Sequence, residues 1–293
     1  MTTKLWLVHD TKAELGEGPV WDSASERLLW VDIVAGRIHE YDPQRPNTGI
    51  SHELGSFVSS VVPRRSGGWA VTRQDGYYAY NPATAELARL AEVEGDKPGN
   101  RFNDGKCDPV GRYLAGTMSL SDKPGQGALY ALDAEHAVRT LVGGIGCSNG
   151  LAWSADGSAM YYIDTPTRQV VAYDYDLATG AISGRRIAIA IPEDQGYPDG
   201  MTIDSDGMLW IAHWGGWQVS RWNPLTGDKL LSVPVPAALV TSCAFGGPAL
   251  DKLYITTARV GLSAEDRDAQ PQAGGLFCAE VGATGLPSAV FGG

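Results

Sequence analysis

The chain has 293 residues, 43% of them hydrophobic, which is enough apolar material to bury a sizeable core. Its formal net charge is −11 at pH 7, a field that repels phosphate backbones, so nucleic acid is excluded as an expected partner. No apolar run approaches the length of a membrane span, and Leu5-Trp6-Leu7-Val8 is too short for a secretory core, so the expectation is a cytoplasmic protein without membrane association.

Residues 4–8 read as a strand that has no hairpin partner of its own. Glu17-Gly18-Pro19-Val20-Trp21 follows, then a polar turn and strands at 27–32 and 37–42. The turn-rich stretch 43–49 leads to a fourth strand. The same order of short strands and turns repeats along the chain. Second and third strands fall at 69–72 and 76–80, at 113–117 and 128–132, at 159–163 and 170–174, at 208–212 and 218–222, and at 252–256 and 275–279. Asp156-Gly157 and Asp206-Gly207 mark hairpins between first and second strands.

Each repeat opens with a side-chain oxygen, then Gly or Ser, then a short apolar run. The strong openers are Glu17, Asp104, Asn149 and Asp199, and the weaker ones are Ser59 and Thr241. Successive openers lie 42, 45, 45, 50 and 42 residues apart. A strand-built period of this size predicts an all-β, six-bladed propeller with four-stranded antiparallel blades, one domain over 1–293. The strand at 4–8 is expected to pair with the C-terminal strands around 276–281 and close the last blade, leaving no long open edge.

The first strand of each blade lines the central channel, so all six openers are expected to ring one mouth on the axis. Taken singly, each opener reads as a turn former, since Asp-Gly and Asn-Gly favour turns. Together the strong copies point to convergent oxygens, whose mutual repulsion a hard divalent cation relieves. The same mouth is expected to receive Arg101-Phe102-Asn103, on a loop just before Asp104. Arg101 reads either as a fork for an oxygen-rich ligand or as a surface arginine among acids. Tyr197-Pro198 precedes Asp199. Two long loops between second and third strands, 118–127 and 258–274, suggest lids. His213-Trp214-Gly215-Gly216-Trp217 reads as a packed glycine turn, with a substrate wall or a base as the alternative. The other histidines, His9, His39, His52 and His136, lack ligand spacing and read as surface or satisfied groups. Cys107, Cys147, Cys243 and Cys278 show no paired spacing and read as small buried residues in a reducing compartment.

Five motifs taken together resemble the gluconolactonase, regucalcin (senescence marker protein) and luciferin-regenerating enzyme family. They are Leu15-Gly16-Glu17-Gly18-Pro19-Val20-Trp21, Arg101-Phe102-Asn103-Asp104-Gly105-Lys106, Gly111-Arg112-Tyr113-Leu114-Ala115-Gly116-Thr117-Met118, Ser148-Asn149-Gly150-Leu151-Ala152-Trp153 and Tyr197-Pro198-Asp199-Gly200. The resemblance spans nearly the whole chain. Trp210-Ile211-Ala212-His213-Trp214-Gly215-Gly216 and Thr256-Thr257-Ala258-Arg259-Val260-Gly261-Leu262 look closest to bacterial pentono- and aldonolactonases such as xylonolactonase.

The resemblance implies a propeller with one divalent metal on its axis, held by Glu17, Asn149 and Asp199, and a substrate contacted by Arg101 and Asn103. It leaves Asp104 as a second carboxylate behind the ligands or on the substrate side, with Tyr197 beside it. It implies hydrolysis of a sugar lactone, the small-molecule partner, to its aldonic acid in carbohydrate catabolism. Asp199, ligand and nearby carboxylate at once, is the expected general base. Oxygen ligands barely separate Ca²⁺, Mg²⁺, Mn²⁺, Zn²⁺ and Fe²⁺. The family often places acids after Gly-Thr-Met, whereas this chain reads Ser119-Leu120-Ser121-Asp122. Two other readings fit the same scaffold: an esterase or phosphotriesterase, and a non-enzymatic calcium-binding regulatory propeller.

Overall fold

The computed structural model describes residues 3–46 and 49–293. Asn47 and Thr48, in the turn-rich stretch expected at 43–49, lie outside the described residues, as do the first two residues of the chain. The described strands form six four-stranded antiparallel sheets arranged as the blades of a propeller. Within each blade the strands follow chain order, except in the last. There the N-terminal strand Lys4–His9 takes the outer place beside Leu276–Glu280, with Lys4 opposite Glu280 and Trp6 opposite Cys278. The ring is therefore closed by hydrogen bonds between the two ends of the chain, as the unpartnered strand implied.

The core is divided into six apolar seams, one between each pair of neighbouring blades. Leu29, Ile38, Val61 and Val71 join blades one and two, and Phe102, Tyr113, Tyr77 and Phe291 join two and three. Leu114, Leu151 and Tyr162 join three and four, and Ile163, Met201 and Ile211 join four and five. Trp210, Val240 and Phe277 join five and six, and Trp21, Trp30, Tyr254 and Leu276 join six and one. A fully buried large apolar side chain contributes about 1.5–3 kcal/mol. Exposed ion pairs such as Arg37–Glu53 and Arg186–Asp174 contribute ~0–1 kcal/mol each, so the seams hold the ring.

The six openers lie inside the innermost strands, not in turns. These strands are Gly16–Asp22, Val58–Pro63, Asn100–Cys107, Ser148–Trp153, Tyr197–Ile203 and Val240–Gly246. In every one the pairing with the second strand slips at the opener. Pro198 faces His213 and Met201 faces Ile211, so three steps on the inner strand match two on its partner. The same slip encloses Ser59, Asp104, Asn149 and Thr241, and in blade one it follows Glu17, which stays opposite Val31. One extra residue per blade is a β-bulge, which breaks the ladder's alternation at or next to the opener and frees its side chain from the regular pattern. The Gly after the opener serves this bulge. Gly18 has φ +54°, and a Cβ on Gly200 would lie 2.0 Å from Ser242 Oγ. Arg101 and Asn103, expected on a loop, belong to the bulged inner strand of blade three.

The Asp-Gly hairpins stand where the sequence put them, with Gly157 N donating to Ser154 O at 2.8 Å and Gly207 N to Asp204 O at 2.9 Å. The loop 258–274 holds a short helix, Ala264–Ala269, capped by Ser263, whose hydroxyl accepts from Asp266 N while the Asp266 carboxylate accepts from the Ser263 backbone N–H. Arg259 and Arg267 both pair with Glu14, so this loop is tied down against blade one. After Glu280 the chain crosses the opposite face of the ring from the openers. Ser205 N donates to Thr284 O, Phe291 N to Pro63 O and Gly292 N to Gly111 O, all in turns that follow inner strands. Phe291 is fully buried, and Leu286, Pro287, Ser288 and Ala289 floor an axial cavity of about 420 Å³. No helix among the described residues is long and apolar enough to cross a membrane.

Candidate metal centre

Glu17, Asn149 and Asp199 enter the axis from blades one, four and five, each at least 95% buried. Asp199 lies within side-chain interaction reach of both Glu17 and Asn149, so the three expected ligands meet. Glu17 Oε2 accepts from Gly18 N at 2.7 Å. Burial holds the Glu17 carboxyl well above its ordinary range, and the neighbouring charges of Asp199 and Asp104 push it further. Burial and Asp104 raise Asp199 likewise. Two buried carboxyls this close cannot both ionise at ordinary cost, and either a cation or a shared proton relieves their repulsion.

Asn149 supplies the sharpest sign. Its Nδ2 donates to Thr165 Oγ1 at 2.9 Å, and Thr165 Oγ1 donates to Pro198 O at 2.9 Å. The amide is thereby oriented from outside the ring, while its buried Oδ1 has no hydrogen-bond partner. Two carboxylates and an orphaned amide oxygen are a hard, all-oxygen donor set and fit a divalent cation of that class. Among the described residues no group of three or more His, Cys, Asp or Glu is placed to hold a metal, so the set owes its third donor to an asparagine.

Asp104 lies buried beneath, with Oδ1 accepting from Gly105 N at 2.7 Å. Burial raises it, while Lys106 and the Gly105 N–H pull it back. Lys106 reaches across the channel to blade five, where Nζ donates to Met201 O at 2.7 Å. Both residues line the axial cavity, so Asp104 stands behind the ring rather than on its open side.

Arg101 and Asn103 form one unit. Arg101 Nη1 donates to Asn103 Oδ1 at 2.7 Å and to Phe102 O at 2.8 Å, and Asn103 Nδ2 donates to Ser148 O at 2.9 Å. Both Asn103 ends are thus engaged within the chain, which makes it a holder of Arg101. Arg101 is buried and pushed down by that burial, with Glu17, Asp199 and Asp122 among the charges that restore it. The surface-arginine alternative is excluded by that burial. Tyr197 is 43% exposed, and the Arg168 guanidinium stacks 3.8 Å above its ring, which places Tyr197 at the rim and not behind the ligands.

Ser59 and Thr241 do not join the ring of donors. Ser59 Oγ donates to Phe102 O and Thr241 Oγ1 to Gly16 O, each at 2.6 Å and each across a blade boundary. The packed-turn reading of His213 stands in the histidine itself, which is fully buried, bonded to Gln195 O and Ser220 Oγ, and pushed down to about 4 by burial. Trp217, expected to pack, is 45% exposed at φ +58°. His52 is satisfied by Glu40 and Tyr80. His9 Nδ1 and His39 Nε2 are buried without partners, His39 stacked on Trp30 at 5.0 Å, so neither fits the satisfied-or-surface reading.

The four cysteines are free, and Cys147 alone departs from the fully buried reading. It is half-buried at the site, with Sγ 3.7 Å from Asn103 Nδ2, 3.8 Å from Asn149 Nδ2 and 3.6 Å from Met118 Sδ. Burial pushes its thiol up to about 12. Of the run after Met118, Ser119 is buried against Ser121, Leu120 is exposed, and Asp122 reaches Arg101 electrostatically.

A six-bladed propeller with an oxygen-only donor set at the narrow end of one mouth defines the class of protein. The chain belongs to the family described as SMP-30/Gluconolactonase/LRE-like region, whose model matches residues 15–259. It is 39% identical over 287 residues to the Bacillus subtilis protein named as a sugar lactone lactonase, covering 98% of both chains. It is 42% identical over 279 residues to human regucalcin, covering 94% of this chain and 93% of the relative. The solved structure of the calcium-binding protein regucalcin from Agrobacterium tumefaciens superposes with a TM-score of 0.93 at 30% identity, covering 97% and 96%.

Proposed function

We propose that this protein opens a sugar lactone to its aldonic acid at the axial site, with one divalent cation held by Glu17, Asn149 and Asp199. The observation that carries the reading is the buried, unpartnered Asn149 Oδ1 beside two carboxyls that burial and mutual repulsion drive upward. Family membership and the sugar lactone lactonase relative support the choice of substrate class. A cation bound there would supply Lewis-acid polarisation of the lactone carbonyl.

The remaining steps belong to the chain. Asp199, the axial carboxylate that meets both Glu17 and Asn149, takes the proton of the attacking water. The water oxygen joins the carbonyl carbon, the ring C–O bond breaks, and the proton passes to the departing ring oxygen as a hydroxyl. Arg101, braced by Asn103, faces the substrate's ring and hydroxyl oxygens as a planar donor. The Phe57 ring, with the Arg101 guanidinium 5.9 Å above it, and the Tyr197 ring give the mouth apolar walls.

Pentono-, hexono- and aryl lactones, together with a phosphotriester, titrated in a pH-stat before and after chelation and with divalent ions restored, test this reading. Chelator-sensitive acid release from sugar lactones supports it. Equal turnover after exhaustive chelation overturns the metal assignment, and turnover confined to aryl esters or phosphotriesters overturns the substrate class. The regucalcin relatives favour one further reading, calcium binding without turnover, which metal binding with no acid release from any substrate would establish.

A further inference from the structure

The axial donors explain how a cation is held, but not what fixes the Arg101 side of the site. The connection from the outer strand of blade two, Glu86–Glu92, to the inner strand of blade three, Asn100–Cys107, contains Glu94. Its side chain is only 4% exposed, and its backbone takes φ +55°, a conformation disfavoured for a residue with a Cβ. The carboxylate gathers four donors. Oε1 accepts from Tyr130 OH at 2.8 Å and Thr117 Oγ1 at 3.2 Å, and pairs with Lys97 Nζ at 3.1 Å. Oε2 accepts from Asn100 Nδ2 at 2.9 Å.

The partners sit where the substrate side is built. Thr117 and Tyr130 belong to the second and third strands of blade three. Thr117 lies opposite Phe102 in the ladder, and Met118 opposite Arg101. Asn100 Nδ2 also donates to Gln126 O at 3.0 Å, and Leu120 N donates to Gly99 O at 2.8 Å. One carboxylate thus binds the residue before Arg101, the strand beside Arg101, and through Asn100 the far end of the loop that carries Asp122. Hydrogen bonds to a charged acceptor are stronger than neutral ones, and a buried network loses more than one contact when its centre is changed.

We propose that Glu94 is a positioning residue for substrate binding: it fixes the Arg101–Asn103 edge and the 120–126 loop relative to each other, without touching substrate or the axial donors. The proposal rests on the lactonase reading for its kinetic test, and on geometry alone for a second test.

In the kinetic test, Glu94→Gln keeps the size of the side chain but replaces an acceptor with an amide that confronts Lys97 and Asn100. On a sugar lactone that the wild type turns over, KM is expected to rise by about tenfold while kcat and divalent-cation affinity stay within about twofold. In an Arg101→Ala background the same substitution is expected to add nothing, because its effect passes through Arg101. Equal losses in KM and kcat, an unchanged KM, or full additivity with Arg101→Ala would overturn the proposal. Should Glu94→Gln fail to fold, Thr117→Val removes one of the four bonds and is expected to raise KM about two- to threefold, with the same overturning outcomes.

The second test needs no turnover. Cys147 lies 3.7 Å from Asn103 Nδ2, and the other three cysteines are buried. With the metal at saturation, a maleimide should modify Cys147 several-fold faster in Glu94→Gln than in the wild type, and the signal should vanish in Cys147→Ser. An unchanged rate overturns the proposal. A wild type that hydrolyses no lactone overturns the lactonase reading instead and leaves this thiol result standing.

Discussion

Ser59 and Thr241 open their inner strands as Glu17, Asn149 and Asp199 open theirs, yet the two groups do different work. Ser59 and Thr241 each reach sideways to a carbonyl of the next blade and are satisfied there. The other three point their oxygens at one another, at a cost in repulsion and in an unpartnered acceptor. A short hydroxyl can serve a seam, because its reach ends at the neighbouring strand. A longer carboxylate or amide at the same place reaches the axis. These five openers therefore divide by side-chain length and charge into two that bond across blade boundaries and three that meet at the axis, while Asp104, a carboxylate behind the ring, belongs to neither group.

The largest test of that division is removal of an axial carboxylate. Asp199→Ala and Glu17→Ala are each expected to lose bound metal and to lower lactone turnover by about 100-fold or more, measured by metal analysis and pH-stat rates. Retention of both metal and wild-type turnover in either variant would erase the distinction. Arg101→Ala comes next, with KM rising about 10- to 100-fold and metal affinity unchanged, as expected for a lost hydrogen-bonding cation on the substrate side.

The repulsion can be read without substrate. Glu17 and Asp199 have folded-state affinities for protons above their unfolded ones, so the folded chain binds protons more tightly than the unfolded chain does. The pair's contribution to the stability of metal-free protein should therefore be fully present below the ordinary carboxylate range of about 4 and be lost as pH rises toward the raised folded values. A fall in Tm on the order of 5 °C between pH 5 and 8 is expected, absent in Glu17→Gln and cancelled by saturating divalent cation. A Tm that rises over that interval would contradict the raised pair. The smallest effect belongs to the seam group. Ser59→Ala and Thr241→Val should leave metal affinity and KM unchanged and cost ~1 kcal/mol, or about 2–4 °C in Tm.

Much of the fold was legible because its signals are local. Alternating strands such as Arg27–Asp32 and Gln218–Trp222 coincide with their expected bounds, and Lys4–His9 found the partner its isolation implied. The period put all six openers at matching places on the inner strands, and only the family resemblance singled out Glu17, Asn149 and Asp199 among them. The bulge was not legible, since it exists only when two strands are set in register. Read along the chain, its glycines look like turn residues. Cys147, Thr165, Lys106 and Glu94 were missed for a related reason. Thr165 acts on Asn149 from a short helical turn, Lys106 acts on a carbonyl 95 residues away, and Glu94 draws Tyr130 from 36 residues away. Burial and partnership of that kind arise only once the ring closes. The segment after Glu280 has no alternation to announce it, yet it floors the axial cavity and buries Phe291.

The extra residue in each inner strand has a further meaning. It loosens the packing code that the rest of each strand must obey, so an axial side chain such as Asn149 or Asp199 can be exchanged at less cost to the apolar seams than a residue within the ladder. The openers behave as interchangeable sockets at equal intervals around one axis, and evolution can redraw the donor set by point substitution while the blades stay as they are. The three openers proposed as donors leave the others as places where a different ligand set could be assembled on the same frame.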